Sequence, residues 1–170
     1  MRSALAALAL LLAAGPVLAA ASPLDSWAGV YRRSKTMDLR DGVNGGKTYV
    51  GEDILEIVRI DDGRAYVRVR LMFTNAHSCS LWGVARRESG GLVYRGQPNS
   101  FGTCTLSIQR EKDQIVLRDP QESCRVSHCG ARGWMDKASF PLSSRRSISY
   151  MARLKASPQY AEALAEDAKR

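Results

Sequence analysis

Apolar and polar residues alternate with a period of two through most of residues 54–117, the spacing that sends every second side chain to the same face of a strand. Residues 54–60 and 65–73 are the clearest pair. The Asp61-Asp62-Gly63 segment between them suits a three-residue hairpin loop with its glycine in the left-handed conformation. That loop length sets a register in which Glu56 faces Arg68, Ile57 faces Val67 and Leu55 faces Val69. One face then carries Leu55, Ile57, Val67, Val69 and Leu71 into a core, and the other carries a Glu56–Arg68 pair with Arg64 and Arg70 beside it. A two-residue loop would turn Glu56 in among the valines without a partner, which is costly.

The pattern continues on both sides. Residues 27–31, Trp-Ala-Gly-Val-Tyr, read as a first strand, followed by Arg32, Arg33 and Lys35 and then a loop over 38–47. Residues 80–88 and 92–95 read as strands around a turn at 89–91. After a loop at 96–102, Cys104, Leu106 and Ile108 alternate inward, and Lys112-Asp113 turns the chain into Ile115, Val116 and Leu117. Amphipathic helices are missing between these runs, so the right-handed crossovers of a parallel α/β fold are excluded. The expectation is an all-β fold: an antiparallel meander forming a small calycin-like barrel or sandwich, with a C-terminal helical appendage.

The two ends of the chain differ from this. Residues 143–155 are basic, with Ile148, Met151 and Leu154 at helical spacing; Ser157-Pro158 then supplies an N-cap and a first-turn proline for a helix running to Ala168. The stripe expected on that helix, Ala161, Leu164, Ala165 and Ala168, is thin, so it is expected to pack loosely or to await a partner. At the start, Arg2, an apolar run over 4–14, Gly15-Pro16 and small residues at 19–21 read as a signal peptide over residues 1–21, too short for a comfortable membrane span. This leaves a disulfide-stabilised β domain over 22–142 and a basic linker with its helix over 143–170. With a short basic start and no Asn-x-Ser/Thr triplet, a periplasmic or secreted bacterial protein is expected, without a transmembrane segment.

The chain carries 25 Lys and Arg against 17 Asp and Glu, a formal charge of +8, and cleavage after residue 21 would remove only Arg2, leaving about +7. Such a charge draws an exported protein to anionic lipid, anionic glycan or an acidic protein, or serves solubility alone; nucleic acid is not an expected partner. Four cysteines in an exported chain imply two disulfides. Of the three possible pairings, Cys79–Cys104 and Cys124–Cys129 join segments that a meander and a tight loop would bring together. His77 lies near Cys79 and His128 beside Cys129, but neither Cys-x-x-Cys nor His-x-x-x-His spacing occurs, so no metal and no cofactor is expected. Gly45-Gly46-Lys47-Thr48 resembles the end of a phosphate-binding loop, but Asp41 stands where its first glycine would be. Neither histidine has a nucleophile–base pattern, and the pairs Asp61-Asp62 and Glu166-Asp167 sit in a turn and a terminal helix. The expectation is a protein without catalytic residues.

The Gly130-Ala131-Arg132-Gly133-Trp134 segment beside Cys129 is the most peculiar stretch. An arginine and a tryptophan on a loop stiffened by a disulfide can form a binding hot spot; alternatively Trp134 caps the open end of a barrel. Together with Cys79-Ser-Leu-Trp-Gly83, Cys104-Thr-Leu106, the Cys-x-x-x-x-Cys-Gly-x-Arg-Gly run over 124–133 and Phe140, it resembles exported bacterial β domains associated with the LprI-type lysozyme-inhibitor group. The helical, cysteine-containing module of that group has no counterpart here. The resemblance implies a non-enzymatic envelope protein that blocks a peptidoglycan hydrolase. Strongly basic lysozymes would be repelled by a protein of about +7, so the implied target is an acidic or neutral hydrolase. The partner-binding residues expected are Arg132 and Trp134, with Arg68 and Arg70 on the strand face. Two further classes stay open: a small-ligand carrier using the barrel interior, and a basic protein binding anionic envelope surfaces through Arg64, Arg68, Arg70 and residues 145–155. The carrier needs an internal cavity, whereas an inhibitor can have a packed core and an exposed loop.

Overall fold

The computed structural model describes residues 23–39 and 46–170. The signal-peptide reading and Asp41 and Gly45 of the phosphate-loop lookalike lie outside these residues. Among the described residues eight strands run in sequence order through one antiparallel sheet: β1 (Gly29–Leu39), β2 (Lys47–Arg59), β3 (Arg64–Met72), β4 (Ser78–Glu88), β5 (Gly91–Arg95), β6 (Thr105–Glu111), β7 (Gln114–Arg118) and β8 (Ser139–Pro141). The α-helices of the described residues are α1 (Arg125–His128), between β7 and β8, and α2 (Met151–Lys155) and α3 (Pro158–Asp167), after β8. The sheet curls into a nearly closed barrel. Past β8 the chain returns to β1, where Val30 and Arg146 exchange two backbone hydrogen bonds of 2.9 Å and Ser144 Oγ accepts from the Arg32 amide at 3.3 Å.

The β2–β3 register is the one the hydrophobic pattern demands, with Ile57 opposite Val67, Glu56 opposite Arg68 and Leu55 opposite Val69. The turn is made differently from expectation. Gly63 is not left-handed; the Asp61 carboxylate accepts from the Gly63 amide at 3.0 Å and from Arg64 Nε at 2.7 Å, closing the loop as an Asx turn. β1 and β2 also extend into the expected 38–47 loop. Beyond Tyr31 on β1 and before Leu55 on β2 the inward positions include Arg33, Lys35 and the buried Asp53 that both face, so hydrophobic alternation stops before the strands do.

The interior is solid. Tyr31, Leu55, Val67, Leu81, Leu106 and Phe140 all have no exposed surface, and Leu24 from the N-terminal turn packs with them. A second cluster lies outside the barrel, where Val58, Tyr66 and Val84 on β2–β4 meet Ile148, Leu154 and Ala163. The C-terminal helices therefore pack on the sheet rather than waiting for a partner. Ser157 caps α3 through its hydroxyl and Pro158 opens it, as expected. The stripe is different: Ala161, Ala165 and Ala168 are exposed, and the buried side is Tyr160, Ala163, Leu164 and Asp167. A carboxylate hides inside this stripe because Arg64 and Arg86 neutralise it, at 2.7 and 2.5 Å.

The disulfides pair Cys79 with Cys129 and Cys104 with Cys124, which overturns the expected Cys79–Cys104 and Cys124–Cys129. Cys79 lies on β4 and Cys104 just before β6, and β5 runs between those strands, so they are not neighbours in the sheet. The 119–129 excursion instead folds back over the barrel end and meets each of them separately.

Candidate functional site

The loop over 129–134 is built onto β4. Cys129 bridges Cys79 through both the disulfide and an antiparallel backbone contact, and the Gly130 amide donates to Ser78 O at 2.8 Å. His128 Nδ1 meets Ser80 O at 3.2 Å, and Arg125 ties α1 to the loop by donating to Ala131 O at 3.4 Å. Gly133 is required by space rather than by backbone angle: a Cβ there would come within 2.8 Å of Cys79 Sγ. Below the loop, the Asp119 carboxylate accepts from the Cys124 amide at 3.1 Å and from Ser123 Oγ at 3.0 Å. Burial pushes the Asp119 carboxyl above the usual range, and burial likewise pushes the His128 imidazole down.

This frame delivers Trp134 to the end of the barrel. Its ring packs at 4.7 Å on Phe73, which belongs to the interior cluster, yet 53% of Trp134 remains exposed. It therefore covers the barrel end and presents a surface at once. Trp134 and Phe73 form the wall shared by two solvent-open clefts. One, of about 410 Å³, is flanked by Arg125 and Arg132; the other, of about 380 Å³, runs past Met37 and Leu71 to Lys35 and Lys137. Lys35 lies over the Phe73 ring at 4.8 Å and, with Arg33, pairs with the fully buried Asp53, which also accepts from the Met72 amide at 2.8 Å. Arg132 is exposed and makes no side-chain hydrogen bond or ion pair among the described residues.

The structure separates the expected contacts into two places. Arg132 and Trp134 share one cleft; Arg68 and Arg70 lie on the outer face of β3, bordering others. Arg68 is committed to Glu56, a carboxylate only 1% exposed that also accepts from the Tyr150 hydroxyl. Arg64, named for the anionic-surface reading, is spent on Asp61 and Asp167. The inward-facing Arg33, Lys35 and Asp53 were not singled out from the sequence. Their signal was present as polar residues at strand-inward spacing, but only the β1–β2 register brings them together.

All four cysteines are oxidised, so none is a thiolate ligand or nucleophile. Among the described residues no cluster of His, Cys, Asp or Glu has the arrangement of a metal site, and no helix is long and apolar enough to cross a membrane. The chain matches no protein-family model, no curated protein and no solved structure.

Proposed function

We propose that this chain is an exported binding module that engages an envelope protein with the Trp134 end of its barrel, a peptidoglycan hydrolase of acidic or neutral charge being the partner its sequence resemblance implies. The observation behind it is the half-exposed Trp134, packed on Phe73 in a loop held by the Cys79–Cys129 disulfide, with Arg132, unpaired among the described residues, beside it. A tryptophan already packed in place loses little entropy on docking, and an exposed arginine beside it supplies the charge-assisted contact that commonly accompanies such an anchor. Two disulfides fit an oxidising compartment such as the periplasm or the cell exterior. The filled interior speaks against a carrier that stores its ligand inside the barrel.

The test is titration of the oxidised protein without residues 1–21 into lytic assays with acidic, neutral and basic peptidoglycan hydrolases. The expected result is saturable inhibition of an acidic or neutral enzyme, lost in the Arg132→Ala/Trp134→Ala double variant. Absence of inhibition across the panel, or inhibition unchanged by the double variant, would overturn the reading.

A further inference from the structure

The outer face of β1–β4 carries a second cationic surface with a different construction. The strand registers set Arg32, Ile54, Arg70 and Ser80 directly opposite one another in one row, and Glu56, Arg68 and Trp82 in the next row but one. Two clefts of about 410 and 230 Å³ meet here, sharing Ile54 and Arg68. Tyr150 and Arg153 of the α2 region wall one side, and Gln159 of α3 lies across from Trp82. Four arginines, 32, 68, 70 and 153, line this trough; Glu56 within it pairs with Arg68, and Glu52 beside it pairs with Arg32.

The arginines are not equivalent. Arg68 is fixed by Glu56 through Nε and Nη2, and its other terminal nitrogen has no partner among the described residues. Arg153 lies over the Tyr150 ring at 5.4 Å, and Arg32 pairs with the half-exposed Glu52. Arg70 is exposed and has no side-chain hydrogen bond or ion pair among the described residues. Arg70, beside the fixed guanidinium of Arg68, can meet the planar, two-oxygen geometry of a carboxylate.

We propose that this trough binds a strand of acidic glycan, sugar rings bearing carboxylate groups, independently of the Trp134 site. Guanidinium groups take the carboxylates, the Trp82 ring in the cleft floor offers an apolar face to a sugar ring, and the Gln159 amide and Ser80 hydroxyl suit sugar hydroxyls. A bilayer surface fits less well, because the exposed large apolar side chains among the described residues, Val50, Phe101, Val126 and Trp134, lie outside the trough. An acidic peptide also fits less well. β2 and β3 are paired on both sides, so they offer no open strand edge to extend.

The experiment measures binding of oligogalacturonate, neutral malto-oligosaccharide and phosphatidylglycerol vesicles to the oxidised protein at low and high salt. Oligogalacturonate is expected to bind, more weakly as salt rises, with neither of the other probes binding comparably. Arg70→Ala/Arg153→Ala should weaken it at least tenfold, whereas Arg87→Ala/Arg110→Ala, which removes the same charge from exposed sites elsewhere, should change it less than twofold. Trp134→Ala should leave it unchanged. Equal losses in the two arginine pairs would reduce the trough to diffuse charge and overturn the proposal. So would equal binding of the neutral sugar, preferential binding of vesicles, or no binding at all. Because the readout excludes Trp134, failure here is distinguishable from failure of the hydrolase reading.

Discussion

The hydroxyl of Tyr150 donates to the carboxylate of Glu56, 94 residues earlier in the chain. Glu56 sits on the outside of the barrel, yet it is almost fully buried, because the chain around α2 folds over it and Arg68 closes the remaining side. The hairpin register and the C-terminal strap thus meet in one carboxylate. Burial, and then the bond to Glu56, raises the Tyr150 hydroxyl above its ordinary pKa.

Removing either member of the Glu56–Arg68 pair should have unequal effects. Arg68→Met strands a buried carboxylate and should destabilise by about 3 kcal/mol, whereas Glu56→Gln leaves Arg68 partly in water and should cost about 1 kcal/mol. Chemical denaturation of both variants checks the order. A reversed order would mean that Glu56 reaches solvent when its partner is lost.

Tyr66→Phe should be neutral or stabilising by up to about 1 kcal/mol. The Tyr66 hydroxyl is buried between the sheet and α3, with its ring 4.9 Å from that of Tyr160, and has no hydrogen-bond partner among the described residues. Burial pushes its pKa up to about 12. Phenylalanine keeps the ring contact and removes the unsatisfied group, so a loss of stability in thermal unfolding would contradict this account.

The β2–β3 register was legible because Glu56 could be satisfied in only one alignment. The ends of β1 and β2 were not, since Arg33, Lys35 and Asp53 break the apolar alternation and make sense as strand residues only once a register pairs them inside the barrel. Asp167 escaped for the same reason: a helix stripe containing a carboxylate makes sense only once Arg64 and Arg86 are beside it. Trp134 and Arg132 were visible as an odd local composition. Their placement against Phe73 depends on contacts some 60 residues apart in sequence, beyond the reach of local patterning.

The disulfide pairing separates two chain-entropy contributions. Cys79–Cys129 spans 50 residues and Cys104–Cys124 spans 20, so replacing each pair by alanine should destabilise by about 4 and about 3 kcal/mol respectively. Peptide mapping of the oxidised protein should recover 79 with 129 and 104 with 124. Loss of Cys79–Cys129 should also abolish any binding that depends on Trp134, while loss of Cys104–Cys124 should weaken it less.

Protonation of His128 should loosen the end of the barrel that carries Trp134. Burial lowers the His128 pKa from 6.5, against the smaller opposing effects of the Ser80 carbonyl and Asp119. As pH falls through 6.5 the unfolded chain takes up the proton before the folded one, so stability present above that value is lost below it. Asp119 acts with the opposite sign and at more acid pH: its carboxyl is raised from 3.8, so its favourable contribution is greatest below that value and is lost as pH rises through the folded one. Comparing the protein with His128→Asn from about pH 7.5 to 5.5 isolates the histidine. Asparagine keeps a donor for Ser80 O but does not titrate, so the two stabilities should run parallel above 6.5 and diverge below, the variant falling less. Parallel curves throughout would show that His128 protonates in place without disturbing the loop.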